Sequence, residues 1–212
     1  MALPTQTSTA VDTLIKFKRD HWPFLSEAIF TLDQTDKIHP IKRYPFEKEY
    51  LKWFSSKIVE EPLFAAVKHR RLVATWTLCA VFLWDAMFHE GRFNALLSKK
   101  EEDSDELVRR CKFMYEQIPD DVMPLKPLMS YKYTEINFPE INSKIKGFAQ
   151  GPDQLRQYTC SRIGADEIAF WPDARETFVA MKPTLEGGGR VTLISTRYPG
   201  FFQDLVYDRL DA

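Results

Sequence analysis

Apolar positions follow a helical period before residue 60 and a strand–helix alternation after it. Val11 to Leu32 carries Leu14, Phe17, Trp22, Phe24, Leu25 and Ile29 at helical spacing, interrupted by Pro23. Phe46 to Val59 places Tyr50, Leu51, Phe54 and Ile58 on one face of an amphipathic helix. Residues 1 to 9 read as a loose terminus, and Asp33 to Pro45 as a polar, proline-marked connection. From Leu63 the pattern changes. Leu63–Val67 reads as a short buried strand, Thr75–Phe88 as a helix apolar on most faces, and Phe93–Ser98 as a second strand. Glu101–Gln117 is a charged helix with Leu107, Val108, Cys111 and Met114 turned inward. Tyr131–Asn137 and Lys144–Ala149 read as a hairpin, with Pro139 and Asn142 in its turn. A strand at Ile163–Asp166, a helix at Asp173–Met181, a turn at Gly187–Gly189, a strand at Val191–Ser195 and a helix at Phe201–Arg209 follow.

This alternation predicts an α/β fold with a mostly parallel central sheet and helices on both faces. In such sheets ligands sit beyond the carboxyl ends of the strands. The chemistry is therefore expected just after Val67, Ala165 and Ile194.

Composition narrows the picture. A chain of 212 residues suits one domain. Its net charge of −1 creates no global basic field, so any nucleic-acid contact needs a local patch. Cys79, Cys111 and Cys160 are far apart and form no C-x-x-C, which argues against a disulfide framework or zinc knuckle and for a reducing setting. The first ten residues do not form a signal peptide. The longest apolar stretch, Leu78–Phe88, is interrupted by Asp85 and falls short of the roughly 20 residues a bilayer span needs. A soluble protein is expected.

The first strand end opens into Lys68-His69-Arg70-Arg71-Leu72-Val73-Ala74-Thr75-Trp76. Against the phosphate-loop frame G-x-x-x-x-G-K-S/T, it keeps the hydroxyl, Thr75, and lacks the glycines. Two readings fit: a basic surface turn, or a rearranged phosphate loop in which Lys68, Arg70 and Arg71 supply positive charge and Thr75 reaches magnesium. The third strand ends in Asp166-Glu167, set between Ile163-Gly164-Ala165 and Ile168-Ala169-Phe170. An acid pair inside an apolar stretch needs a partner or a task. It can hold magnesium through one carboxylate and polarise water with the other. A second pair, Asp105-Glu106, lies in a charge run and reads as a solvated helix face. Ser195-Thr196 closes the fourth strand, either as a turn or as a phosphate sensor. Arg156 follows a glycine–proline turn, and either stabilises transferred phosphate charge or pairs with Asp153.

From about Trp22 to Tyr207, these motifs in this order resemble the ATPase domain of a tailed-bacteriophage terminase large subunit. The resemblance is carried by Thr31-Leu32-Asp33-Gln34, by Pro40-Ile41-Lys42-Arg43-Tyr44-Pro45 with Glu49-Tyr50-Leu51, and by a deviant Walker A at Lys68 to Trp76. It continues through Ser98-Lys99-Lys100-Glu101-Glu102-Asp103, a Walker B at Asp166-Glu167-Ile168-Ala169-Phe170, and a coupling motif at Gly187 to Phe202. The family implies a P-loop NTPase architecture of the ASCE, RecA-like kind. It implies ATP and Mg2+ as ligands, Lys68 as the displaced Walker A lysine, Arg71 near the phosphates and Thr75 on the ion. Asp166 would hold the ion, Glu167 would activate water, and Ser195 and Thr196 would couple hydrolysis to movement. Tyr44 and Phe46 fall where the family holds adenine, and Arg156 is a candidate arginine finger. Residues 1–60 would form a helical segment with an adenine-side lid and 61–212 the ATPase core, without the nuclease domain of a full subunit. Implied partners are double-stranded DNA gripped without regard to sequence, a portal protein, a small terminase subunit and further copies in a ring. The implied setting is the host cytoplasm, transiently at the procapsid portal.

The chain also departs from the family. Val73 stands where many members have glycine, and a β-branched residue resists positive φ, so a differently shaped loop or weak nucleotide binding is expected. That departure motivates an alternative, a degenerate, weakly or non-hydrolysing module that only binds portal, small terminase or DNA. A helicase-like ATPase shares the core chemistry but predicts a second RecA-like domain.

Overall fold

The computed structural model describes residues 3–33, 35–69 and 72–207. The chain opens with α1 (Leu3–Arg19) and α2 (His21–Ala28), so helix replaces the loose terminus from Leu3 onward. Asp20 separates the two, and its Oδ1 accepts from Trp22 N at 2.9 Å. That cap puts Pro23 in the first turn of α2, where its missing N–H costs nothing. The proline that interrupts the apolar pattern therefore sits at a helix start. A small antiparallel pair, β1 (Phe30–Leu32) and β2 (Ile41–Arg43), leads to α3 (Glu49–Glu60).

Next come β3 (Leu63–Val67), α4 (Ala74–Phe88), β4 (Phe93–Ser98), α5 (Glu101–Glu116), β5 (Ser130–Lys132), β6 (Glu135–Phe138) and β7 (Ser143–Ala149). The chain continues through β8 (Arg162–Asp166), α6 (Ala174–Glu186), β9 (Arg190–Ser195) and α7 (Phe201–Val206). Seven strands form one sheet in the order β3-β9-β8-β4-β7-β6-β5. The first five are parallel; β6 and β5 add an antiparallel edge.

Two details differ from the sequence pattern. The expected hairpin exists as β6–β7, with Ile136 opposite Ile145, but the first arm breaks at Thr134 into β5 and β6. Its second arm, β7, is a central strand that pairs in parallel with β4. The acid pair at Asp105-Glu106 is also divided. Asp105 is buried and accepts from Thr134 N at 3.3 Å, which ties α5 to the β5–β6 turn, while Arg109 pairs with it at 3.2 Å.

Helix α4 is apolar all round because it is covered on both sides. Leu78 and Phe82 press on the sheet, and Phe17, Phe24, Leu51 and Ile58 of the N-terminal helices belong to the same core. Gly164 on β8 permits the close approach: a Cβ there would meet Phe82 Cζ at 2.9 Å. The opposite sheet face packs Leu97, Ile163 and Leu193 under Phe178 and Met181 of α6 and Phe202 of α7. Asp85, the one charge in the apolar helix, lies at the amino edge of the sheet. It meets Arg162 Nε at 3.0 Å and accepts from Asn94 Nδ2 at 3.0 Å. Arg162 Nη1 in turn donates to Ile58 O at 3.0 Å, which secures α3. Among the described residues no helix is long and apolar enough to cross a membrane.

Candidate nucleotide site

The parallel register decides what can meet. Val67 lies opposite Ser195, and Asp166 opposite Ile194, so β3, β9 and β8 end side by side. Lys68 N donates to Ser195 O at 2.8 Å, which carries the ladder one residue into the loop. Thr75 enters from the first turn of α4, whose N-terminus points its free N–H groups at the same place.

Lys68 Nζ lies at the centre. It donates to Thr75 Oγ1 at 2.9 Å and pairs with Asp166 Oδ1 at 2.8 Å and Glu167 Oε1 at 3.0 Å. Thr75 Oγ1 donates to Asp166 Oδ2 at 3.1 Å. Glu167 sits in a left-handed conformation, φ 55°, at the start of a short turn over Ile168–Phe170. Its Oε2 accepts from Ser195 Oγ at 3.2 Å, Thr196 N at 3.0 Å and Thr196 Oγ1 at 3.1 Å. Burial opposes ionisation of this carboxyl. The Thr196 N–H, the Lys68 ammonium and the Thr196 hydroxyl outweigh it and hold the group below its ordinary value. The lysine and Asp166 side chains are only 8% and 10% exposed.

Among the described residues one ammonium, Lys68, stands against two carboxylates, Asp166 and Glu167. The Thr75 hydroxyl and Asp166 carboxylate are hard oxygen donors on adjacent elements, the donor chemistry that suits Mg2+. Among the described residues no group of three or more His, Cys, Asp or Glu side chains could cage a metal. An ion at Thr75 and Asp166 would complete its shell with phosphate oxygens and water, as Mg2+ commonly does.

The loop itself answers the question posed by Val73. Its backbone is left-handed, φ 57° and ψ 12°, and its carbonyl accepts from Thr77 N at 2.9 Å and Thr77 Oγ1 at 3.0 Å. The residue adopts the glycine-like conformation in spite of its branched Cβ, so the expectation of a differently shaped backbone at this position is corrected. Functional loops commonly store such strain, about 1–3 kcal/mol per residue.

Six expected residues thus converge: Lys68, Thr75, Asp166, Glu167, Ser195 and Thr196. Three others, Arg156, Phe46 and Tyr44, do not join them. Arg70 and Arg71 lie outside the described residues. Arg156 pairs with Asp153 at 3.0 Å and lines a hollow with Cys160 and Thr184, beside the segment leading into β8, far from the strand ends that carry the cluster. Phe46 lies half-exposed under the Arg43 guanidinium. Tyr44 is fully buried, its hydroxyl 2.8 Å from Thr77 Oγ1, so its ring belongs to the core and presents no face to a ligand. Tyr50, counted on the inward face of α3, is 39% exposed and donates its hydroxyl to Leu72 O at 3.3 Å. Trp53, three residues further along the same helix, was its sequence signal: a large aromatic outside the apolar face.

No protein-family model matches the sequence. Solved structures with a similar fold include the large terminase ATPase domain of Thermus phage P74-26, at 14% identity and TM-score 0.54, over 71% of this chain and 67% of that one. They also include the large terminase of bacteriophage HK97, at 11% identity and TM-score 0.62, over 85% of this chain and 38% of that one. This chain therefore spans well under half the length of the HK97 protein, and 64% of a second structure of the Thermus phage domain. The chain shares the α/β fold of the ATPase domains of bacteriophage large terminases.

Proposed function

We propose that this chain is an ATP-hydrolysing motor module of the terminase large-subunit kind, which drives double-stranded DNA into a procapsid. The convergence of Lys68, Thr75, Asp166 and Glu167 at neighbouring strand ends carries the reading. These side chains come from β3, α4 and β8, and a structural core has no need to gather an ammonium and two carboxylates at a ligand-facing edge.

Thr75 and Asp166 hold Mg2+, which when bound neutralises phosphate charge. Lys68 exchanges its two carboxylate partners for phosphate oxygens. Glu167, ionised and oriented by Ser195 and Thr196, accepts a hydrogen bond from the attacking water and places it in line with the terminal phosphorus. The α4 N-terminus adds N–H groups toward the phosphates. Because Ser195 and Thr196 hold the same oxygen of Glu167, a shift of that carboxylate moves the end of β9 and, through it, the Pro199–Gly200 entry to α7. DNA contact is through phosphates, because a packaging motor must ignore sequence. With a net charge of −1, a single copy grips DNA weakly, and assembly with portal protein, small subunit and further copies in the host cytoplasm supplies avidity.

Magnesium-dependent ATP hydrolysis by the intact chain and by Glu167→Ala, with and without DNA and portal protein, tests the reading. The intact chain is expected to turn over ATP at least a hundredfold faster than the variant, roughly the scale of general-base removal. Equal rates in the full assembly would leave only a non-hydrolysing assembly module.

A further inference from the structure

The sheet order runs β3, β9, β8 from its open edge inward. This inference rests on the reading of the site as a nucleoside triphosphatase. A triphosphate laid across these strand ends has its terminal phosphate toward Glu167 on β8, and its inner phosphates toward Lys68 and the start of α4. Its nucleoside must then emerge beyond β3, on the side away from β9.

A groove lies on that side. It holds about 280 Å³ between α3 and β3, with Ala65 and Ala66 as floor, Trp53 and Tyr50 on one wall, and Lys68 and Leu72 of the loop at its end. Trp53 is 57% exposed, an unusual state for the largest apolar side chain, and meets the Phe64 ring edge-on. The floor is also polar at the strand edge. Lys68 N donates to Ser195 O, and Val191 N to Pro62 O, so the even-numbered residues of β3 turn their backbone groups toward β9. Strand alternation then turns the N–H and C=O of Ala65 and Val67 outward, along the groove. An apolar slot with an aromatic wall and a few fixed backbone donors and acceptors suits a flat heterocycle.

We propose that this groove receives the base of the nucleotide whose phosphates lie at Lys68. Trp53 supplies the stacking wall, and the strand edge at Ala65 and Val67 reads the donors and acceptors of the base. Tyr50 is a positioning residue: its hydroxyl on Leu72 O links α3 to the end of the phosphate loop, so a base seated against α3 bears on Leu72 as well. This places the base against α3 and β3, and not at Tyr44 and Phe46.

Calorimetric titration of Mg-ATP and of magnesium tripolyphosphate, which has no base, tests the assignment. Trp53→Ala is expected to weaken ATP binding about tenfold, toward the low end of what a base stacked on an aromatic ring contributes. Tripolyphosphate binding should change less than about twofold, Trp53→Phe should restore most of the ATP affinity, and Lys68→Ala should weaken both ligands. An unchanged ATP affinity in Trp53→Ala, or an equal loss for tripolyphosphate, overturns the groove assignment and leaves the phosphate site standing. Failure of the intact chain to bind either ligand overturns both.

Discussion

Thr196 holds the Glu167 carboxylate twice, through its backbone N–H at 3.0 Å and its hydroxyl at 3.1 Å. Both bonds reach the same oxygen, Oε2, while Oε1 faces Lys68. The tip of β9 therefore sets the position of the residue proposed to orient water. Thr196→Val removes the hydroxyl and keeps the N–H. A hydrogen bond to a charged group contributes about 1.5–3 kcal/mol, so turnover should fall about tenfold or more. ATP affinity should stay within about twofold, because in the proposed geometry Thr196 touches no phosphate. Steady-state kcat with an independent binding measurement separates the two, and an unchanged kcat would remove Thr196 from the coupling role.

Val73 carries the cost of a left-handed backbone without the freedom of glycine. The left-handed region costs an L-residue roughly 1–2 kcal/mol. Val73→Asn, which tolerates that region, should stabilise the fold by up to about 1 kcal/mol. Val73→Gly should gain less, because glycine gives back about 0.4–1 kcal/mol through the unfolded chain. Urea denaturation of the three proteins gives the order Asn, Gly, Val from most to least stable. A destabilised Val73→Asn would mean that the branched side chain contributes packing that outweighs the strain.

His21 makes the fold acid-sensitive above the carboxylate range. Burial pushes its pKa down from 6.5 to about 4, against the opposing pull of Asp20, and Arg162 and Lys52 push in the same direction as burial. The imidazole is thus neutral in the fold, 3.0 Å from Ser55 Oγ, and charged in the unfolded chain once pH drops below 6.5. Its folded pKa is the lower one, so protons favour the unfolded state and stability falls as pH drops from 6.5 toward 4. The full loss is about 3 kcal/mol at 1.36 kcal/mol per unit. In urea midpoints between pH 7 and pH 4.5, wild type should lose stability more steeply than His21→Gln, and parallel slopes would show that another group is responsible.

The pair Asp85–Arg162 should behave as a buried ion pair. Their side chains are 2% and 7% exposed. Arg162→Met leaves buried Asp85 with only the more exposed Arg92, 3.7 Å away, as an arginine partner and should cost about 3 kcal/mol, the low end for a broken buried pair. Adding Asp85→Leu should recover most of that loss, although Asn94 and Arg92 then lose a partner. Denaturation of the two single variants and the double variant forms a thermodynamic cycle. Full additivity would show that the two residues act separately.

The strands of the parallel sheet were legible where their signal is local. Leu63–Val67 and Phe93–Ser98 are short apolar runs between polar turns, and the structure reproduces both boundaries. Lys68, Asp166 and Ser195 were legible for the same reason, since a polar residue closing an apolar strand stands out against its neighbours, and Thr75 because it opens an apolar helix. Yet β3 proves to be an edge strand with exposed ends and not the buried strand its apolar run suggests. Other features carry no local mark. Nothing in Lys144–Ala149 distinguishes a hairpin edge from a strand buried between β4 and β6. Asp85 and Arg162 are 77 positions apart in numbering, and each alone reads as a misplaced charge.

Period and turn chemistry along the chain are enough to specify the α/β alternation, the helices over both faces, and the polar strand ends just after Val67, Ala165 and Ile194. Those properties follow from which residues avoid water, a choice each segment makes with its own side chains. Tertiary structure alone settled the order β3-β9-β8 that brings Lys68 between Asp166 and Glu167, the burial of Tyr44, the positive φ of Val73 and the groove beside Trp53. Each depends on contacts between distant segments, where packing and paired charges outweigh the preference of any single residue.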